Sequence, residues 1–370
     1  MGIYFNSLVL VMFPSVKVEN ENLNDVVNTV KQYLNYYEVN VNPMSLKFLF
    51  FDSDNPNIDE NFDEMRKILV PEGYIPFLFK DVEHYLEVSI RPDEKYRTNM
   101  VNLIMLILTI MSTIYVGSIY ASSFVRPGVY AELYKLFYGF VFFSLPLMVI
   151  LGVHETAHYI VAKKYHVNAS LPFFIPLPYM IGTFGAFVSL RDPIPNRKVM
   201  AEIGAAGPIA GFLVAIPLLF LAQYFETIFK PVGTYIPFEL NYPIIYRMFS
   251  IIEPTNVPIF PMVFAVWVGM FATAMNLIPS GQLDGGHIAR GVLGKNAYIL
   301  SYGFLGILFY LTIAYDYLGW LFLGLFVIFM GLVHPPPLND YEKIRTRDIL
   351  IGIFALIMFV LTFTPLPIKP

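Results

Sequence analysis

The sequence predicts a multi-span α-helical membrane protein that carries an N-terminal soluble α+β domain. Hydrophobic residues make up 56% of the 370 residues and charged residues only 14%, whereas soluble domains carry about 25% charged residues. Most of the charge precedes residue 98, and long uncharged runs follow. We therefore predict a soluble domain over residues 1–97 and a membrane-embedded domain over residues 98–370.

Composition excludes several classes of partner and site. The formal net charge of −4 offers no basic surface, so nucleic acid is not expected as a partner. The chain contains no cysteine, which excludes disulfides, thiolate metal sites and cysteine nucleophiles. The apolar run at 8–13 is too short for a secretory signal and lacks a basic leader. We therefore expect the N-terminal domain to stay in the cytosol.

The N-terminal domain shows the patterns of a small α+β fold. Strands are predicted at 7–14 and 45–51, and helices at 22–36 and 61–69. A hairpin is predicted from 74–80 and 84–91. No cluster of catalytic residue types occurs in this part of the sequence, so a regulatory or substrate-handling role is expected for it.

Seven segments of the remaining chain are apolar and long enough to cross a bilayer, which takes about 20 residues. They lie at 98–125, 136–163, 203–225, 254–283, 296–315, 317–339 and 349–368.

A further apolar stretch, 167–190, follows the second of these segments. Pro172, Pro176 and Pro178 interrupt any helix in it, and Gly182 and Gly185 follow. Non-helical backbone at membrane depth has to be shielded by protein or line a cavity. We interpret this stretch as a re-entrant hairpin beside a functional site.

Lysine and arginine are more frequent at the span ends on the side of the N-terminal domain. Cytoplasmic loops carry such an excess, so the N-terminus is predicted to be cytosolic. An odd number of spans then places the C-terminus outside. We expect an integral membrane protein surrounded by a lipid bilayer, in a prokaryotic cell membrane.

His154, Glu155 and His158 form an H-E-x-x-H pattern within the second span. Histidines at i and i+4 share one face of a helix and can bind one zinc ion, while the glutamate reaches water at the metal. An ionisable residue inside a span costs a few kcal/mol and is rarely kept without a function. The pattern therefore predicts a zinc site.

Catalytic zinc usually has three protein ligands, so a third ligand is needed. Asp284 is the leading candidate, because it closes a long uncharged run and is followed by Gly285 and Gly286, which allow close backbone approach. His287 and Glu202 are competitors. Glu202 also fits a simple role as an acidic residue near a helix N-terminus.

These motifs resemble the site-2 protease family of intramembrane zinc metalloproteases. The second family signature appears here as Asn276-Leu277-Ile278-Pro279 followed by Leu283-Asp284-Gly285-Gly286-His287. Ala206-Gly207-Pro208 and the glycine-containing stretch Gly182–Phe187 resemble further family elements. The segment from His334 to Asp340 and the α+β domain are similar to the EGY branch.

The resemblance implies a fold, a reaction and a set of roles. His154, His158 and Asp284 would bind Zn²⁺, and Glu155 would act as general base and acid. Asn276 would contact the oxyanion or the substrate backbone, although an interhelical hydrogen bond explains it equally well. Membrane-spanning proteins would be cleaved, and the topology puts the active site in the cytosolic half of the bilayer.

Two other functions remain open at this stage. Buried Glu155 and Asp284 could belong to an ion or solute transporter, although no internal repeat with matched broken helices is present. An inactive zinc-binding relative is the other alternative, and the presence of Glu155 argues against it. Gly207 and Gly211 form a small-x3-small pattern, which predicts packing against the helices that carry the site.

Overall fold

A computed structural model describes residues 20–92, 98–233, 239–250 and 258–369. The chain forms two compact units. The first, called the head unit, contains the described residues of Met1–Tyr96 together with Asp192–Arg197 and Pro336–Lys343. The second, called the helical unit, contains the described residues of Arg97–Arg191, Lys198–Pro335 and Ile344–Pro370. The strand predicted at 7–14 lies outside the described residues.

The head unit combines two helices with a four-stranded antiparallel sheet of order β1-β2-β4-β3. Its elements are α1 (Asn20–Tyr33), β1 (Glu38–Val41), β2 (Ser45–Leu49), α2 (Ile58–Leu69), β3 (Tyr74–Lys80) and β4 (His84–Ile90). The predicted helices, the second predicted strand and the predicted hairpin are confirmed within a few residues. Strand β1 was missed, because most of its residues are exposed and no alternation of buried and exposed side chains marks it.

One face of this sheet forms the core of the head unit. Side chains alternate between the two faces of a strand, and the alternating residues Leu78, Leu86 and Phe48 lie side by side in a buried row. The core also includes Val30 of α1 and Leu69 of α2. Burying such aliphatic side chains is the main stabilising contribution to a small domain.

Two later segments of the chain complete the head unit. The Leu78 amide of β3 donates to the Leu338 carbonyl, and the Leu338 amide donates to the Ile194 carbonyl, both at 2.9 Å. The Asp192 carboxylate accepts a 2.6 Å hydrogen bond from Arg91. The predicted boundary at residue 97 does not include these two segments in the head unit. The division into domains at 1–97 and 98–370 stays a prediction.

The helical unit consists of ten helices and two short antiparallel strand pairs in its described part. The helices are α3 (Asn99–Ala121), α4 (Ala131–Gly139), α5 (Leu145–Lys164), α6 (Arg197–Ile228), α7 (Ile244–Met248), α8 (Pro261–Asn276), α9 (Asp284–Leu293), α10 (Ala297–Tyr315), α11 (Leu318–Met330) and α12 (Thr346–Thr362). The strand pairs are β5 (Phe173–Leu177) with β6 (Gly182–Phe187), and β7 (Glu239–Leu240) with β8 (Ile368–Lys369).

Among the described residues, four continuous helical stretches have the length and apolar composition to cross a membrane. They are Asn99–Phe124, Ala131–Lys164, Arg197–Ile228 and Asp284–Tyr315. Pro261–Asn276 and Leu318–Met330 are shorter apolar helices. Each of the seven predicted spans overlaps a helix, so a multi-helical membrane protein is supported, and the count of seven stays a prediction.

Three features of the helical unit shape the region around the H-E-x-x-H motif. Helix α5 follows a π-helical turn, Phe140–Ser144, and Pro146 lies directly after that turn within the continuous helix Ala131–Lys164. Proline has no amide to donate, so the α-helical hydrogen-bond pattern is interrupted beside the π-helical turn. Helix α8 is buried over most of its circumference, as expected for a helix that is apolar all round. The stretch 167–190 contains the antiparallel β5–β6 hairpin, as predicted, and its re-entry into the membrane stays a prediction.

We predict that Leu338 stabilises the head unit although it lies far from that unit in sequence. Leu338 is 1% exposed within the head core, and Leu→Ala in a core typically costs about 2–5 kcal/mol. Leu338→Ala in the full-length protein should therefore accelerate hydrogen–deuterium exchange in β3 and β4. Val82→Ala, at a 99% exposed position between these strands, should leave exchange unchanged. Equal exchange in the Leu338 variant and the unmodified protein would contradict this prediction.

Candidate metal centre

The two histidines of the H-E-x-x-H motif lie on the buried face of α5. His154 is 3% exposed and His158 is 7% exposed. Positions i and i+4 are one helical turn apart, and the centroids of the two imidazole rings are 5.0 Å apart. The local helix alone therefore brings two imidazole rings together in an apolar environment.

Asp284 reaches these rings from the first turn of α9. The chain reverses direction between α8 and α9, with Gly281 at a positive φ of 57°. Gly285 and Gly286 follow Asp284, and a Cβ atom on either would lie 2.2 Å from a backbone carbonyl oxygen of the reversal. The close backbone approach predicted for these glycines is confirmed, and it explains how Asp284 is returned to α5.

The three side chains converge through specific atoms. The Nε2 atoms of His154 and His158 lie 3.1 and 3.2 Å from the same oxygen, Oδ2 of Asp284. Nδ1 of His158 lies 2.8 Å from the backbone carbonyl oxygen of Ile203. A carbonyl oxygen can only accept, so Nδ1 of His158 carries the proton and its Nε2 presents a lone pair in this tautomer. Nε2 of His158 thus points at a carboxylate oxygen, an arrangement that is satisfied by a cation at this position, either a metal ion or a proton on the ring.

This arrangement fits a zinc ion. The three ligand atoms all lie within 4.8 Å of one another. With zinc–ligand bonds of about 2.0–2.1 Å, the ligand atoms of a tetrahedral site are roughly 3.3 Å apart. The observed separations of 3.1 and 3.2 Å agree with that value. Two imidazoles and one carboxylate also form a known ligand set of catalytic zinc, which leaves a position for water.

Glu155 and Asn276 lie next to this group of ligands. Glu155 is 4% exposed, and its carboxylate forms a hydrogen bond with the backbone of Val188, the residue that follows β6. Nδ2 of Asn276, at the end of α8, lies 3.3 Å from Nε2 of His154. All five residues singled out by the sequence are therefore together in one place, although their roles remain predictions.

The two competing candidates for the third ligand lie elsewhere. Glu202 accepts a hydrogen bond from the Tyr165 hydroxyl and lies 3.6 Å from the guanidinium groups of Arg345 and Arg347. Burial and the Glu202 carboxylate raise the pKa of Tyr165 to about 12. His287 donates from Nδ1 to the Leu283 carbonyl at 3.0 Å. Neither residue belongs to the ligand group found among the described residues.

Sequence reasoning missed two contacts of the site because backbone atoms make them. The Ile203 carbonyl fixes the tautomer of His158, and the Val188 backbone holds the Glu155 carboxylate. Such groups are present at every residue, so no residue type indicates them. Their only signals in the sequence are indirect: the predicted hairpin ends near Val188, and the third span begins near Ile203.

The chain is similar to a family of peptidases and to proteins named as zinc metalloproteases. Peptidase family M50 matches residues 142–311, which include all five site residues. The probable zinc metalloprotease EGY1, chloroplastic, of Arabidopsis thaliana is 32% identical over 253 residues, which cover 62% of this chain and 44% of the relative. The probable zinc metalloprotease EGY2, chloroplastic, of Oryza sativa subsp. indica is 28% identical over 247 residues, or 61% of this chain and 44% of the relative.

The chain spans less than half the length of these two relatives. The similarity nevertheless includes the helix with His154 and His158 and the turn with Asp284. Taken with the convergence of those side chains, the matches show that residues 142–311 are similar to Peptidase family M50, the site-2 protease family, and that the chain is similar to EGY-type zinc metalloproteases.

Proposed function

We propose that this protein is a zinc metalloprotease that hydrolyses peptide bonds of membrane-spanning protein substrates. The observation that carries the proposal is the group of two buried imidazole nitrogens and a carboxylate oxygen, with the Glu155 carboxylate one residue from His154. His154, His158 and Asp284 hold the zinc ion. Glu155 and Asp284 thus belong to one cluster of ligand types, which favours hydrolysis over an ion path.

The residues of the site divide the chemistry between them. Bound zinc supplies Lewis acidity, which lowers the pKa of water toward 7 and polarises a carbonyl group. Glu155 takes a proton from the attacking water and passes it to the leaving amine. The Val188 backbone orients the Glu155 carboxylate for this transfer. Asn276 can donate from Nδ2 to the scissile carbonyl oxygen, where negative charge develops.

The β5–β6 hairpin is the proposed contact for an unwound substrate. A helical substrate has its carbonyl groups hydrogen-bonded, so cleavage requires local unwinding. In the described residues β6 pairs only with β5, and Phe184 of β6 is 67% exposed. An extended segment can add to such a strand edge through backbone hydrogen bonds. Because Val188 follows β6 directly, the added segment would lie near Glu155.

The predicted topology places the site in the cytosolic half of the membrane. Helix α5 ends at the basic pair Lys163 and Lys164, which the topology puts on the cytosolic side. His158 and His154 precede Lys163 by five and nine residues, which corresponds to roughly 8–14 Å along a helix. The hydrocarbon core is about 30 Å thick.

We predict that Asp284 holds zinc and that His287 does not. Asp284→Ala should weaken zinc binding by more than the about 10- to 100-fold typical of losing a residue that merely supports a ligand. His287→Ala is the control, because its ring bonds the Leu283 carbonyl, and it should retain most of the zinc. The measurement is metal content after equilibration with a chelator. Loss of zinc in the His287 variant alone would reverse the assignment.

Glu155→Gln should retain zinc and lose hydrolysis, because the amide cannot accept the proton that the carboxylate takes. General acid–base catalysis contributes about 10²- to 10⁴-fold to a rate, and the cleavage rate of a transmembrane peptide should fall by that factor. Thr156→Ala alters the next residue of α5, which is exposed, and should cleave normally. Near-normal cleavage by the Glu155 variant would show that another group handles the proton.

Cleavage should occur in the cytosolic half of a substrate helix and release a fragment to the cytosol. Mass spectrometry of the products from a reconstituted substrate of known orientation measures the cut. The matched control is the same substrate helix inserted in the opposite orientation, in which the cut should move to the other half of its sequence. Cuts clustered in the outer half would mean that the predicted orientation of the enzyme is wrong.

A further inference from the structure

One face of α6 lies directly against the ligand group. Gly204, Gly207 and Gly211 are spaced by three and four residues, so they share one face of this helix. All three are buried. Within the described residues, this face contacts both α5, which carries the two histidines, and α9, which carries Asp284.

Gly207 makes the closest approach. A Cβ atom at this position would lie 2.1 Å from Nε2 of His158 and 2.7 Å from Cδ2 of His154. Real Cβ contacts are essentially never shorter than 3.0 Å. A single methyl group would therefore occupy the space of the His158 atom that faces Asp284.

The neighbouring glycines contact other parts of the same group. A Cβ atom at Gly204 would lie 2.6 Å from Cβ of His287 and 2.8 Å from the Asp284 carbonyl oxygen, so the backbone of α9 would have to move. At Gly211 it would lie 3.3 Å from both Cβ and Nδ1 of His154, a tight contact that a small shift can relieve. The steric demand is therefore graded along the helix and is greatest at Gly207.

A polar contact fixes the same ring to the same helix. Nδ1 of His158 donates to the Ile203 carbonyl at 2.8 Å, one turn before Gly207. The His158 ring is thus held by a hydrogen bond at one position of α6 and limited by contact at the next. These two restraints determine both the tautomer and the position of its Nε2 atom.

We propose that Gly207 is a positioning residue for the metal centre and that the Gly204–Gly207–Gly211 face of α6 sets the spacing between the ligands on α5 and α9. The inference rests on the proposed function, because it takes His154, His158 and Asp284 as zinc ligands. It goes further by assigning a role to a helix that contributes no ligand side chain.

The first test measures metal binding. Gly207→Ala should weaken zinc binding by at least the about 10- to 100-fold seen when support of a ligand is lost. Gly211→Ala should retain the metal but change the absorption bands of the cobalt-substituted protein, which report ligand geometry. Gly152→Ala is the matched control, because Gly152 lies two residues before His154 on α5 and has no atom within 4 Å of its Cβ position.

The second test needs no metal and separates a steric role from general damage. Gly207→Ala should lower the thermal midpoint of the metal-free protein. In a background carrying His154→Ala and His158→Ala the same change should cost nothing, because the rings that it would strike are gone and alanine favours a helix over glycine. An equal loss in both backgrounds would overturn the inference.

The outcomes distinguish the two proposals. If the unmodified protein binds no zinc, the proposed function fails, and the metal-free comparison still tests the contact of Gly207 with the two rings. If the unmodified protein binds zinc and Gly207→Ala binds it equally well with an unchanged cobalt spectrum, the positioning role is wrong while the proposed function stands.

Discussion

The convergence of the Nε2 atoms of His154 and His158 on one carboxylate oxygen of Asp284, within an apolar helical unit, is the constraint on which the rest of the structure depends. Buried polar groups are costly unless they are paired, and two acceptors cannot pair with each other. The neutral His158 ring cannot move its proton to Nε2 without losing its hydrogen bond to the Ile203 carbonyl, which keeps that proton on Nδ1. Glycines let α6 and the α8–α9 reversal come close enough to hold the ligands at 3.1 and 3.2 Å from Oδ2 of Asp284. A proton on an imidazole can pair one of these contacts, whereas a single metal ion can pair all three ligand atoms at once.

Chain connectivity relates this centre to the head unit. The Val188 backbone bonds the Glu155 carboxylate, and the Ile203 carbonyl bonds His158. Between these two residues the chain passes through Asp192–Arg197, whose described partners in the head unit include Arg91 and Leu338. The segment between the backbone contacts of Glu155, the proposed base, and His158, a proposed ligand, is therefore anchored, in its middle, in the core of the head unit.

The sequence predicts the side chains of the site better than the backbone contacts that hold those side chains in position. His154, Glu155, His158 and Asp284 are identifiable because metal ligands and bases belong to few residue types, and helical spacing or glycine neighbours restrict them further. The hairpin is equally readable, since prolines and glycines exclude a helix over 167–190. Val188 and Ile203 are not readable, because they act through backbone atoms. The insertion of Leu338 into the head core is also hidden, because nothing local distinguishes a buried leucine in one unit from a buried leucine in the other. The sequence also does not exclude Glu202 as the third ligand. Its ion pairs are with Arg345 and Arg347, which are far away in the sequence and are identified only in the structure.

The same packing restricts the direction from which a substrate can approach. The glycine face of α6 lies so close to both imidazoles that no side chain fits between them, and a peptide backbone is bulkier than a methyl group. Asp284 and the α8–α9 reversal occupy a second side, where carbonyl oxygens approach Gly285 and Gly286. The groups proposed to act on a substrate, Glu155 and Asn276, are not among the atoms nearest to the Cβ positions of that glycine face. The hydrogen bond from Val188 places the end of β6 beside Glu155. Approach along the hairpin, the substrate contact proposed above, would therefore bring a peptide to Glu155, the proposed base, before it meets the packed helix.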